Sequence, residues 1–420
     1  MNQQPSPSPS PSPSPSPSAS SSVVCPAVDG VFPLHGAEFA ADPHAAYARM
    51  RFAYGSLVPV ELHPGVPATL VIGYRAALRI LNDPVGFPAD PRGWQSTVPA
   101  DCPILPMIEW RPNALRSSGP EHARYRAATT AALSGEDLHA LNRQVEDIAG
   151  RLLGEISPLG HADLLAQYAF PLVFQTLNTL LGCPPQIGQR VAQGMAAIFE
   201  GIDAQHGNQI LTAALDELIT LKQRRPSDDV TSRLLAHEAG LDRIEMIHQL
   251  VTLYGAGIEP QTNLITNTVR LMLTDPRFSG DVLSGSLTAI DALDETLYTD
   301  PPMANYCLSY PPRPVEVEGQ LLPAHQPVVI SMAAASNDPS IADDDRARNR
   351  AHLAWSTGPH TCPARAAGYL IAQTAIQHLC DVLPDLRLAI PAHQLTWRPG
   401  PFHRALTALP VTFSPTRHAS

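Results

Sequence analysis

Lysine is nearly missing from this chain: Lys222 is the single one, and arginine carries the rest of the positive charge. A GC-rich coding bias accounts for that without functional weight. Positive charge is not in surplus either, since the formal balance is −11. A general nucleic-acid binder needs clustered cations, so that class is excluded. No apolar run approaches the roughly eighteen residues of a membrane span, and none is expected. No basic segment leads into an apolar one near the N-terminus, so no secretory signal is expected. The cysteines, at positions 25, 102, 183, 307, 362 and 380, form no CxxC pair and no zinc spacing. A reduced, cytoplasmic setting is the simple inference. Nothing inside the 420 residues reads as a linker. With 44% hydrophobic and 16% charged residues, the composition is that of a globular chain with one large core.

What is present begins with a Pro-Ser repeat over residues 5–18. Alternating proline cannot bury a face and favours extended polyproline II, so residues 1–22 are expected to be a disordered tail and 23–420 one domain. From Asp42 the stretch PHAAYARMRFAYG predicts a helix ending at Gly55. VPVEL and ATLVIG predict two strands about a Pro-Gly turn, and YRAALRILND a short helix. Residues 83–112, rich in proline and glycine, carry Trp94, Met107 and Trp110. Residues 138–222 read as three or four amphipathic helices, with FPLVFQTLNTLLG apolar on nearly all sides and therefore buried. A long helix then starts at a capping box, Asp242 with Glu245, and runs to about Thr274.

The chemistry points to HLAWSTGPHTCPARAAG, residues 352–368. Cys362 lies in a loop bent by glycine and proline that runs into a helix, and Pro363 suits a first helical position. The sulfur then lies at the positive end of a helix dipole, which favours thiolate. Gly358 lets backbone approach a flat ligand, and His360 can donate to an anionic edge of it. Such a thiolate is a nucleophile or an axial metal ligand; the residues alone leave both open.

WSTGPHTCPAR resembles the cysteine-ligand loop of the cytochrome P450 family, with Gly358, His360 and Cys362 in register. Trp355 stands for the family's aromatic residue, and Ser356 and Ala364 replace two glycines. The continuation through YLIAQTAIQHLCDVLPDLRLAI and LTWRPGPFHRALTALPVTF follows the family's closing helix and final strands. PEHARYR resembles the start of its C helix, with His122 and Arg126 at the positions that hold haem propionates; four apart, they share a helix face. GAGIEPQT resembles the oxygen-binding segment of its I helix, where Ala256, Gly257 and Glu259 match.

Three departures stand out. Pro260 and Gln261 replace the I-helix threonines, and proline has neither a hydroxyl nor an N–H for the Ala256 carbonyl, which is expected to open the helix. Glu259, Gln261 or Thr262 would then anchor the water that relays protons. In the Glu-x-x-Arg pair, Glu295 is followed three residues later by Tyr298, so Glu295 needs another cation; Arg346, Arg348 and Arg350 are the candidates. The propionate arginine of the following strand would fall near Ser309, and Arg313 is its candidate replacement.

The resemblance implies a mainly α fold with small β-sheets around a long central helix, and haem b bound through Cys362. It implies a monooxygenase that inserts one oxygen atom into a small organic, secondary-metabolite-type molecule. Electrons would come from ferredoxin and its reductase, docking near Arg365, and the protein would be a cytoplasmic monomer without membrane contact. The departures keep two further readings in view, a haem protein with little turnover and a peroxide-using enzyme.

Overall fold

The computed structural model describes residues 30–200, 204–278, 287–341 and 350–415. The Pro-Ser tail, Arg346 and Arg348 lie outside them. The architecture is mainly helical with three small sheets.

The N-terminal region forms as its residue pattern dictates. Asp42 caps the helix Pro43–Tyr54 by accepting from the Ala45 N–H at 3.0 Å, and Gly55, at φ 72°, ends it. Leu57–His63 and Val66–Val71 pair antiparallel around Pro64-Gly65. Val328–Ser331 then adds parallel to the second of these, and Asn305–Ser309 antiparallel to Val328–Ser331. The sheet thus brings a strand far along the chain back against the N-terminal hairpin. Its register slips between Tyr306 and Leu308, and Cys307 sits in the slip at φ 32°. A bulge of this kind redirects side chains at a sheet edge.

The helices Leu138–Ile156, Phe170–Leu180, Pro185–Glu200 and Ala204–Arg224 occupy the region expected to be helical. Phe170–Leu180 is not buried all round. Leu172, Val173, Thr176 and Leu180 face the core, while Phe170 is exposed and stacks on Phe174 at 6.0 Å. Its apolar outer residues pack on one another and are only partly covered.

Arg243–Thr274 is the axis of the molecule, 32 residues long, or about 48 Å at the usual rise. The capping box between Asp242 and Glu245 is present at its start. Contrary to the expected opening, the helix is continuous through Pro260. The turns on either side are held on both flanks, so the loss of one ladder bond does not part them. The N-terminal half packs on Leu211, Leu215 and Leu218 of the preceding helix. The C-terminal half packs on Leu293, Leu297, Ile371 and Ala375. Those last two belong to the closing helix Arg365–Val382, which carries the cysteine loop at its start.

Candidate functional site

The cysteine loop is closed by its own backbone. The Ser356 N–H donates to the Leu353 carbonyl at 2.7 Å and the Cys362 N–H to the Trp355 carbonyl at 2.8 Å. Gly358–His360 is a single 3₁₀ turn. Gly358 has φ 71°, and a Cβ there would lie 2.3 Å from the Leu81 carbonyl oxygen. Glycine is therefore required where the loop rests on the helix Tyr74–Leu81, a packing reason beside the approach to a flat ligand expected from the sequence. Ser356, at one of the replaced glycines, holds φ 57°, a left-handed conformation that serine adopts at a cost. Pro363 is not the first helical residue: the helix begins at Arg365, with Ala364 as its cap.

Burial pushes the Cys362 thiol up; the Ala364 N–H, Arg126 and Arg365 pull it down without prevailing. The expected thiolate preference is therefore not met by protein groups alone, because desolvation outweighs the helix end. A bound metal cation reverses that balance and deprotonates a coordinating thiol outright.

Three expected anion-holding groups do converge beside this loop. Arg126 donates through Nη2 to the Thr361 carbonyl, adjacent to the cysteine. The His122 and His360 rings lie 4.2 Å apart at 40°. Burial, with Arg126 adding, lowers the His122 pKa, and His122 Nε2 is buried without a hydrogen-bond partner. Burial lowers His360 to about 3, with His122, Arg126 and Arg116 adding. Among the described residues no carboxylate forms an ion pair with any of these groups. One guanidinium and two neutral imidazole rings without a counter-charge offer N–H donors to an anion.

The central helix presents Ala256, exposed between buried Tyr254 and Ile258. A Cβ at Gly257 would lie 2.9 Å from Leu177 Cδ1, so glycine there lets Phe170–Leu180 pack close. The three relay candidates face different neighbours, as successive positions on a helix must. Glu259 forms an ion pair with Arg398 of the C-terminal segment. Gln261 Nε2 donates to the Gly368 carbonyl on the closing helix at 2.8 Å. Thr262 alone keeps a buried hydroxyl without a partner, and sequence reasoning missed that the Asn263 Nδ2 beside it is in the same state.

The lock between helix Ala289–Thr299 and the cysteine loop is rebuilt. Glu295 takes Arg277, at 3.3 Å, and not Arg350; the other two candidates, Arg346 and Arg348, lie outside the described residues. Arg350 is used instead by Asp294, at 2.9 Å, and Tyr369 donates to the same carboxylate at 2.8 Å. Tyr298, in the arginine's place, meets His352 edge-on, with ring centroids 5.2 Å apart. His352 is buried and lowered to about 4, mainly by that burial. Below this, buried Asp300 binds Arg404 at 3.1 Å, Arg270 at 3.0 Å and His44 at 3.1 Å. Burial works against that carboxylate, but its three partners prevail and hold it well below the usual range. Arg313 is exposed, and Ser309 has a buried hydroxyl without a partner, so the expected replacement is not made.

No family model matches the chain. Cytochrome P450 monooxygenase PikC of Streptomyces venezuelae is 31% identical over 399 residues, which span 91% of this chain and 94% of PikC. The vitamin D3 dihydroxylase of Streptomyces griseolus is 27% identical over 384 residues, 87% of this chain and 93% of the enzyme. Among solved structures, CYP154C4 of Streptomyces sp. ATCC 11861 superposes with a TM-score of 0.80 at 27% identity, over 87% of this chain and 95% of that one. The tirandamycin C-bound P450 monooxygenase TamI gives 0.76 at 26% identity, over 90% and 99%.

Proposed function

The chain belongs to the cytochrome P450 family, oxidoreductases of monooxygenase type, and from that premise we propose that it is a haem-thiolate enzyme oxidising a small organic molecule. The observation that carries this is the half-buried Cys362 thiol beside Arg126, His122 and His360, none of which forms an ion pair with a carboxylate among the described residues. Among the described residues no cluster of three or more His, Cys, Asp or Glu side chains could hold a bare metal ion. Cys362 would be the protein's ligand to the iron of a haem, with Arg126, His122 and His360 holding its carboxylates. When bound, haem with a thiolate ligand supplies the electron-rich iron chemistry that favours O–O cleavage.

The protein's own residues do the rest. His122 Nε2, the Arg126 guanidinium and His360 hold the two carboxylates, and the backbone bond from Cys362 to Trp355 fixes where the sulfur points. Ala256 and Gly257 leave the middle of the central helix without bulk. Glu259 is the one carboxylate within a turn of them, and Arg398 holds it in an ion pair. The Thr262 hydroxyl and Asn263 Nδ2 are the free polar groups next along that helix. The substrate class is a secondary metabolite or similar small apolar molecule, in keeping with the tirandamycin-bound relative. Electrons come from a ferredoxin and its reductase, with exposed Arg365 part of the docking face.

Peroxide use is the second reading, favoured by a specific set of contacts. Position 260 has no hydroxyl, Glu259 is held by Arg398, and Gln261 is bonded to the closing helix. A reaction that starts from peroxide does not need the relay they would build.

The test is spectral. Reduced under carbon monoxide, the purified protein is expected to show the strongly red-shifted Soret band of thiolate ligation, and Cys362→Ala to lose it. A Cys362→Ala protein with the parent's spectrum and pigment content overturns the proposal. Turnover of a substrate panel with ferredoxin and reductase, against peroxide alone, then decides between the two oxidants.

A further inference from the structure

We propose that Arg116 is a cofactor-carboxylate ligand, replacing the propionate arginine that the strand Asn305–Ser309 lacks. This rests on the haem reading above.

Arg116 is 5% exposed, and burying a guanidinium without a counter-charge is costly. The other equally buried arginine, Arg404, has Asp300. Arg116 has only neutral partners among the described residues, the Met107 carbonyl and the Tyr306 hydroxyl, the latter at 2.5 Å. Both bonds leave from Nη2, so Nε and Nη1 remain for an anion. A guanidinium fork matches a carboxylate, and a buried one with no acidic partner among the described residues calls for a carboxylate from outside the chain.

Arg116 stands six residues before His122 and ten before Arg126, at the entry to the helix that carries both. Its guanidinium also lies 5.4 Å over the Tyr306 ring, against the strand that would have carried the missing arginine. Arg313, the alternative, points to solvent.

The local backbone holds Arg116 in place. Asn113 Oδ1 accepts from the N–H groups of Leu115 and Arg116, both at 3.0 Å, and the Ser117 hydroxyl donates to the Asn113 carbonyl at 2.7 Å. This side-chain turn leads directly into the helix Gly119–Ser134 that carries His122 and Arg126. Arg116, His122 and Arg126 thus come from eleven consecutive residues, 116–126.

The experiment compares release of the cofactor to an excess of a haem-scavenging apoprotein. It uses the unchanged holoprotein, Arg116→Met and Arg116→Lys, each loaded with haem or with its propionate dimethyl ester. Arg116→Met is expected to release haem on the order of tenfold to a hundredfold faster than the parent, with Arg116→Lys between them. With the dimethyl ester the three proteins are expected to agree within about twofold, because the uncharged esters give the guanidinium little to hold. The melting temperature of cofactor-free Arg116→Met is expected to match or exceed the parent's, as removing a buried cation without a counter-charge removes its desolvation cost. Equal haem release from parent and both variants overturns the inference and leaves the haem reading standing. So does faster release that persists with the ester, which marks a purely structural role. A parent protein that takes up no haem overturns both.

Discussion

Glu259 and Ser356 each hold a conformation or partner that single-residue chemistry makes testable. The ion pair with Arg398 fixes Glu259 beside the open middle of the central helix. If that carboxylate passes protons inward, Glu259→Gln lowers ferredoxin-supported turnover by about a hundredfold, in the usual range for a lost acid-base group. The carbon monoxide spectrum and peroxide-supported turnover stay as in the parent. Unchanged ferredoxin-supported turnover would instead assign the relay to the Thr262–Asn263 pair. At Ser356 the left-handed backbone, φ 57°, is the conformation that the family's glycine adopts without strain. Ser356→Gly is expected to raise stability by about 1 kcal/mol, read as the shift of the denaturant midpoint at constant slope. A loss of stability would show that the serine hydroxyl is worth more than the strain.

Between elements, the exchange of arginine for Tyr298 changes how the helix Ala289–Thr299 is fastened. An edge-on aromatic contact to His352 and a displaced carboxylate, Asp294 with Arg350, do what one ion pair does elsewhere in the family. Restoring the arginine is therefore harmful. In Tyr298→Arg the new cation meets a buried, neutral imidazole, while Glu295 is engaged by Arg277. An unpaired buried charge costs about 3 kcal/mol or more, so thermal unfolding moves down by several degrees. A Tyr298→Arg protein as stable as the parent would mean that Glu295 swings inward to meet it. The sequence showed which residue was missing from this lock. It could not show the replacement, because Asp294, Arg350 and Tyr369 converge only once three separate segments pack together.

Across the whole molecule, buried histidines set the acid limit. His352 and His360 are held at about 4 and about 3 by burial, and His122, His248 and His403 are lowered as well. An unfolded chain takes up these protons below about pH 6.5. The folded one takes them up only at lower pH, near 4 for His352 and near 3 for His360, so across that span the unfolded state binds more protons and stability falls as pH falls. His352 alone accounts for roughly 3 kcal/mol of that loss. Denaturant midpoints of the cofactor-free protein should therefore decline steadily from pH 7 to pH 4. A flat profile between pH 7 and pH 5 would contradict the burial of these rings.

The sequence by itself determined most of the elements and the local motifs of the candidate site. Helix periodicity, the Asp242–Glu245 cap, and the spacings of His122 with Arg126 and of Gly358, His360 and Cys362 are local, so a short stretch of chain encodes each one. Tertiary structure decided the partners: Arg398 for Glu259, Gly368 for Gln261, Arg277 for Glu295, and Leu81 as a packing reason for Gly358. It also set the surroundings of Cys362, where desolvation pushes the thiol up against the pull of the Ala364 N–H, Arg126 and Arg365. A pairing between residues far apart in the chain, or the dielectric around a buried group, is a property of the packed whole. No window of sequence carries it.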